Sequence, residues 1–176
     1  MLNNEIMLNN EIIKLEKLNV KDKLFYRDIY TNPELMRYVC QPFNNDTADK
    51  YFNIALKRMA TTPVKSLIYV IKPLISETKV GITSLRWNQK YHDCVEIGAM
   101  ILKEYQRKKY AHMAKNLLIK HAVHKFNVRQ VVAICEKQNY AANQANRKLG
   151  FKLEKEFIDE NDKIIKIKWI INKNNT

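Results

Sequence analysis

Arg107, Lys108 and Lys109 stand in a row where an apolar stretch, residues 95–102, gives way to a helical pattern beginning at Tyr110. A strand feeding a basic turn at a helix N-terminus makes an anion site. The first helical N–H groups lack partners, the helix dipole is positive there, and three cations add to the field. Glu96 lies on the same stretch, four residues before Met100, so the two share one face of a strand. A carboxylate in that place is either a solvated or structural strand residue or, where burial raises its pKa, a general base. His112, His121 and His124 follow at spacings that bring two imidazoles near each other without a third ligand, so packed or solvated histidines and no metal are expected. Cys94 and Cys135 read as small strand hydrophobes, not nucleophiles.

The elements that must position these residues follow from periodicity. Residues 1–12 are Met-Leu-Asn-Asn-Glu-Ile twice; residues 1–11 read as a frayed tail and residues 12–176 as one domain. Ile13 and Leu15 alternate with polar neighbours as a first strand. Asn19, with Asp22 three residues on, caps a helix that carries Val20, Leu24, Phe25 and Ile29 inward, and Asn32-Pro33-Glu34 restarts a short one. Asp46, paired with Asp49, opens a third helix carrying Tyr51, Phe52, Ala55 and Met59. Residues 66–71, 79–87 and 94–102 form an antiparallel meander, with a turn over 88–92. From Tyr110 the apolar face is Ala111, Ala114, Leu118, His121, Ala122 and Phe126, interrupted by Lys115 and Lys125. Residues 131–135 read as a strand buried on both faces, and 140–149 as a second long helix ended by Gly150. Residues 151–158 and 163–171 close the chain as a hairpin, with Ile165, Ile167, Trp169 and Ile171 on one face. The layout is α+β: a mixed, mostly antiparallel twisted sheet of about seven strands and about five helices, one of them short. With only Gly81, Gly98 and Gly150 in the chain, each glycine is expected to have a backbone or packing reason.

The chain of 176 residues, 46% hydrophobic, suits one globular domain. Three scattered cysteines make neither a disulfide framework nor a zinc ribbon. The apolar runs fall well short of the ~20 residues needed to span a bilayer. The N-terminus lacks a signal-peptide pattern, so no membrane association and a cytoplasmic location are expected. The formal charge of +13 invites a nucleic-acid reading, but the lysines are spread along the chain and no nucleic-acid-binding signature occurs. The same charge should repel polyamines and aminoglycosides and attract acidic or phosphorylated amines.

Residues 106–111, Gln-Arg-Lys-Lys-Tyr-Ala, resemble the Q/R-x-x-G-x-G/A pyrophosphate loop of the GNAT superfamily of acetyl-CoA-dependent N-acetyltransferases. Asn139-Tyr140-Ala141-Ala142 followed by Lys148-Leu149-Gly150-Phe151 resembles its N-x-x-S/A…K-x-G-F segment. The match is closest to the ribosomal-protein N-terminal (alanine/serine) acetyltransferase branch and covers residues 12–171. The resemblance implies the GNAT fold, an acyltransferase using acetyl-CoA as co-substrate, and an acceptor that is a protein N-terminus or a small amine such as an amino sugar nucleotide, bordered by the two early helices. It places CoA on Gln106, Arg107, Lys108, Lys109, Tyr110 and Ala111. Met100, Ile101 and Leu102 would hold the pantetheine with unpaired main-chain groups, where the fourth strand bulges and splays from the fifth and faces the acetyl carbonyl. Some relatives use a carboxylate at the place of Glu96 as base, directly or through water. Asn139 would contact the pantetheine through its amide. Asn146 stands where many relatives have a tyrosine acid, and from there it would reach the CoA sulfur.

Lys109 departs from the loop glycine. A lysine keeps the loop N–H groups in place if its φ is negative, as it ordinarily is at a helix start, and adds a charged donor. The rival readings are a non-catalytic GNAT-like binding module, with Lys109 and Asn146 as signs of decay, and a ribosome- or RNA-associated basic protein. The last strand is available to pair across a homodimer.

Overall fold

The structure, a computed structural model, describes residues 8–87 and 93–173. The expected turn over 88–92 and the first seven residues of the expected tail lie outside the described residues. In chain order the elements are β1 (Leu8–Asn9), β2 (Ile13–Lys17), α1 (Lys23–Thr31), α2 (Pro33–Met36), α3 (Asn45–Met59), β3 (Ser66–Pro73), β4 (Gly81–Trp87), β5 (Cys94–Ile101), α4 (Tyr110–Phe126), β6 (Gln130–Glu136), α5 (Tyr140–Lys148), β7 (Lys152–Ile158) and β8 (Ile165–Asn172). The strands form one sheet in the order β1-β2-β3-β4-β5-β6-β8-β7. Every pairing is antiparallel except β5 with β6, the pair that α4 connects. This is the α+β layout read from the sequence, with one strand more. Leu8 and Asn9, placed in the tail by the sequence, pair with Leu15 and Lys14.

Two cores lie on opposite faces of the sheet. Val95, Ile97 and Ile101 of β5 pack with Ala114, Leu118 and Ala122 of α4 and with Val131, Ala133, Ile167, Trp169 and Ile171 of the later strands. On the other face Ile68, Val70 and Ile82 meet Tyr26 and Ile29 of α1 and Phe52, Ala55 and Met59 of α3, with Met100 and Leu102 at the edge. No residue of β6, β7 or β8 joins this second core among the described residues, so that part of the face is left without a helix.

The helix starts differ in detail from expectation. Asn19 and Asp22 do form a capping box, but on a short 3-10 turn ahead of α1, and Val20 and Leu24 are exposed while Tyr26 and Ile29 go inward. Asn44 rather than Asp46 caps α3, its side chain accepting from the Thr47 N–H. Asp49 instead receives two bonds from Arg27 of α1, at 2.9 and 2.6 Å. Tyr51 is exposed and stacks on Phe43, which stacks on Tyr30 in turn, so aromatic rings pin the loop between α2 and α3. β6 is buried on both faces from Val131 to Ala133, but the next residue, Ile134, is exposed on the face that no helix covers, and Ile165 of β8 is likewise exposed.

Gly81 at the head of β4 has a packing reason. A Cβ there would collide with the Met100 carbonyl oxygen and press on Ile101. Gly150, at φ +87, turns the chain from α5 into β7 in the left-handed region that glycine enters at no steric cost.

Candidate active site

The site is built from the one parallel joint of the sheet. β5 and β6 pair at Cys94–Gln130, Val95–Val131 and Glu96–Val132 and then part, although β5 runs on to Ile101 and β6 to Glu136. Beyond Glu96 the sheet is open between them. The pairing of β5 with β4 is continuous from Trp87–Val95 to Gly81–Ile101, so the expected bulge is not on that side. The opening comes from divergence of β5 and β6.

Strand alternation decides which main-chain groups face the opening. The Leu102 N–H donates to the Val80 carbonyl at 3.0 Å, and the Met100 carbonyl crowds Gly81, so both residues turn their main chain toward β4. Neighbouring residues point the other way. Of Met100, Ile101 and Leu102, only Ile101 faces the opening, and Ala99, which the motif comparison missed, faces it too. Counting alternate residues along β5 would have found Ala99.

At the far end of β5 the chain makes a 3-10 turn, Lys103–Tyr105, and then the cationic loop. The Gln106 amide donates to the Ile101 carbonyl at 3.0 Å, so this side chain ties the loop to the strand end. Arg107 has φ +63, and Lys109, immediately before α4, has φ +62 and ψ +9. The negative φ expected for Lys109 is therefore wrong. The chain has to reverse from an extended Gln106 into a helix within three residues, and left-handed residues on either side of Lys108 make that reversal. Lys109 adopts the conformation that a glycine would supply, so the turn that aims the loop N–H groups is kept. A non-glycine residue pays about 1–2 kcal/mol for it. The Lys108 ammonium lies 5.3 Å from the centroid of the Tyr105 ring. Tyr110 and Ala111 form the first turn of α4, whose leading N–H groups have no intrahelical acceptor.

Glu96 faces away from α4, level with Arg86 across β4. One of its oxygens, Oε2, takes a 2.7 Å bond from that guanidinium, and its side chain is 33% exposed. It is thus an ion-paired carboxylate at the wall of a cavity of about 1130 Å³, not one enclosed by apolar residues. Val132, Ile134, Phe157, Lys155 and Lys168 line the same cavity on the helix-free face of the sheet.

On the α4 face the asparagines are already occupied. Asn139 caps α5, its side-chain carbonyl accepting from the Ala142 N–H at 3.1 Å. Asn146, expected at the sulfur of CoA, is 1% exposed; its carbonyl accepts a 2.9 Å bond from Lys115, and its NH2 is 3.7 Å from the Cys135 sulfur. Lys115, read from the sequence as an interruption of the apolar face of α4, is buried. Burial lowers its pKa to about 8. The Cys135 thiol donates to Asn143, whose carbonyl also accepts from the Trp169 indole at 2.8 Å; burial pushes that thiol up.

The histidines do not converge. His121 is buried beside Tyr69 and Phe126, where desolvation lowers its pKa. Among the described residues no group of three or more histidines, cysteines and acids is placed to hold a metal.

A family model described as an acetyltransferase (GNAT) domain matches residues 13–152. No curated protein matches the sequence. Among solved structures, the acetyltransferase (GNAT family) from Bacillus anthracis superposes with a TM-score of 0.81 at 16% identity, over 96% of this chain and 99% of that one. Spermidine N-acetyltransferase from Vibrio cholerae, in complex with CoA and spermine, gives 0.81 at 17% identity, over 94% and 98%. A ribosomal L7/L12 alpha-N-protein acetyltransferase, in complex with CoA that is disulfide-bonded to a cysteine, gives 0.82 at 14% identity, over 94% and 97%. At such identities the superpositions establish the fold.

Proposed function

The chain belongs to the GNAT acetyltransferases, acetyl-CoA-dependent acyltransferases, and from that premise we propose that it passes acetyl directly from acetyl-CoA to the primary amine of an acidic acceptor. One observation carries the reading: the β5–β6 opening ends at a cationic loop and the bare N-terminus of α4. A pyrophosphate on that loop would sit against the helix dipole, the loop N–H groups and Arg107, Lys108 and Lys109. Its pantetheine arm would run into the opening along Ala99 and Ile101. The carbonyl of the thioester would then accept from strand N–H groups left without a sheet partner, which stabilises the oxyanion as the amine adds. The CoA disulfide in the L7/L12 enzyme fits a cofactor whose sulfur comes to a cysteine; here Cys135 lies on the stretch of β6 that has parted from β5.

The acceptor would enter from the helix-free face, through the cavity beside Glu96. Arg86, Arg129, Lys155 and Lys168 outnumber Asp93 and Glu96 in its lining, in keeping with the net charge of +13. That balance favours an acidic peptide N-terminus or a phosphorylated amino sugar nucleotide over a polyamine. Glu96 takes the proton of the amine through water on its Oε1, which Arg86 leaves open.

Isothermal titration with acetyl-CoA tests the reading. One-to-one binding in the micromolar range is expected, weakened roughly tenfold or more in Lys109→Glu, which puts a negative charge at the helix N-terminus. Absence of binding to the wild-type protein would refute the cofactor assignment.

A further inference from the structure

Lys115 sits on the second turn of α4 and is 8% exposed. The other buried lysine, Lys72, is held by two carboxylates, Glu16 and Glu77, each at 2.6 Å. Lys115 has no carboxylate within ion-pair distance among the described residues; its recorded hydrogen-bond partner is the Asn146 carbonyl. A buried ammonium without a counterion destabilises the fold, so packing alone does not account for it. Three N–H donors are available on the ammonium and Asn146 uses one.

Its location gives the remaining donors a purpose. Asn146 reaches from α5 to Cys135, and Cys135 lies on the part of β6 that has parted from β5. Lys115 therefore bridges α4 and α5 above the opening, on the face from which the pantetheine enters. We propose that Lys115 is the proton donor to the sulfur of CoA as the thioester breaks; this rests on the acetyl-CoA reading above. The amine nitrogen bonds to the acetyl carbon, and the resulting oxyanion re-forms the carbonyl as the carbon–sulfur bond breaks. Sulfur keeps the electron pair, and an N–H bond of Lys115 gives it the proton, leaving CoA thiol and a neutral lysine. The surplus proton of the acceptor leaves to water on the opposite face, and Lys115 recovers a proton from solvent when CoA departs. The match of acidities favours this step: burial brings Lys115 to about 8, and an ordinary alkyl thiol lies near ~8.5, so little driving force is lost in the transfer. Asn146 then has the role of holding the ammonium, not of touching sulfur itself.

The test follows the ultraviolet absorbance of the thiolate of bound CoA against pH and compares CoA with desulfo-CoA in titrations of wild-type protein and Lys115→Met. The methionine removes the charge and keeps an unbranched chain of similar reach. In the wild-type complex the thiolate should form at lower pH than in free CoA, and in Lys115→Met that shift should vanish. The variant should lose about tenfold or more in affinity for CoA at a pH where the thiolate is bound, and keep its affinity for desulfo-CoA. Equal losses for both ligands, or the same thiol titration in both proteins, would overturn the proposal while leaving the cofactor assignment intact. A wild-type complex whose thiol titrates as in free CoA would overturn it without any variant. Binding of neither ligand to the wild-type protein would remove the acetyl-CoA reading and the proposal together.

Discussion

Two side chains at the opening, Glu96 and Lys115, make opposite demands on their surroundings. Glu96 is partly solvated and paired with Arg86, so its work as a base must pass through water held at the free oxygen. Glu96→Gln should lower turnover more than tenfold at saturating substrates; a smaller loss would assign the residue to the cross-strand ion pair alone. Lys115 also leaves a mark on stability. Its pKa falls from the ordinary 10.5 to about 8 in the folded protein, so between those values the unfolded chain binds more protons and stability rises with pH. Below pH 8 both states are protonated and the cost of burying the charge is fully present, on the order of 3 kcal/mol. Lys115→Met should therefore be more stable than wild type at pH 7 and lose most of that advantage by pH 10, as measured by urea denaturation at both values. Neither the burial of Lys115 nor the left-handed φ of Lys109 was legible in the sequence. A lysine on an apolar stripe reads as a break in the stripe, and a lysine where glycine is usual reads as a change of backbone. In each case the neighbours, Asn146 and the tight reversal after Gln106, decide the outcome.

At the scale of elements, the joint between β4 and β5 has the least tolerance. The Met100 carbonyl fills the space beside Gly81, whereas nothing but the Ser84 hydroxyl, at 3.8 Å, stands near a Cβ added to Gly98. Gly81→Ala should cost roughly 1–3 kcal/mol by forcing the strands apart, and Gly98→Ala clearly less, in the same denaturation assay. Because a Cβ at Gly81 would also press on Ile101, which faces the opening, Gly81→Ala should also weaken acetyl-CoA binding. The strands and long helices were readable from alternation and from the helical period, because one face of each is buried and the other is wet. The third helix start was misread because Asn44, Asp46 and Asp49 all have the chemistry of a cap; what separates them is that Arg27 of α1 claims Asp49. The exposure of Ile134 had no local signal at all, since an apolar run looks the same whether or not a helix covers its second face.

For the whole molecule, charge and the uncovered face of β6 to β8 act together. A +13 protein that opens a cation-rich cavity draws acidic amines by long-range attraction. The KM for an acidic peptide or a phosphorylated amino sugar should rise severalfold as ionic strength increases and the screening length falls from ~30 Å to ~3 Å, with kcat little changed. Spermidine under the same conditions should be a poor substrate that improves with salt. A polyamine preferred at low salt would contradict the acceptor assignment.

The parting of β5 from β6 also bears on how the chain assembles. Residues before Ile101 are joined by antiparallel ladders between strands adjacent in sequence, as are β7 and β8. In the sheet the two groups meet through three residue pairs of one parallel ladder, which Arg129 and Asp93 extend at one end, and beneath it through α4 and the shared core. Closing that ladder spans the whole crossover helix, a costly non-local step, though a shorter one than the pairing of β2 with β3 across the three early helices. Cooperativity between the halves then depends heavily on α4, which packs on β5 and, through Lys115 and Asn146, reaches α5. A ligand threaded into the opening would supply the strand contacts that the sheet gives up there, and in doing so would splice two separately nucleated halves into one folding unit.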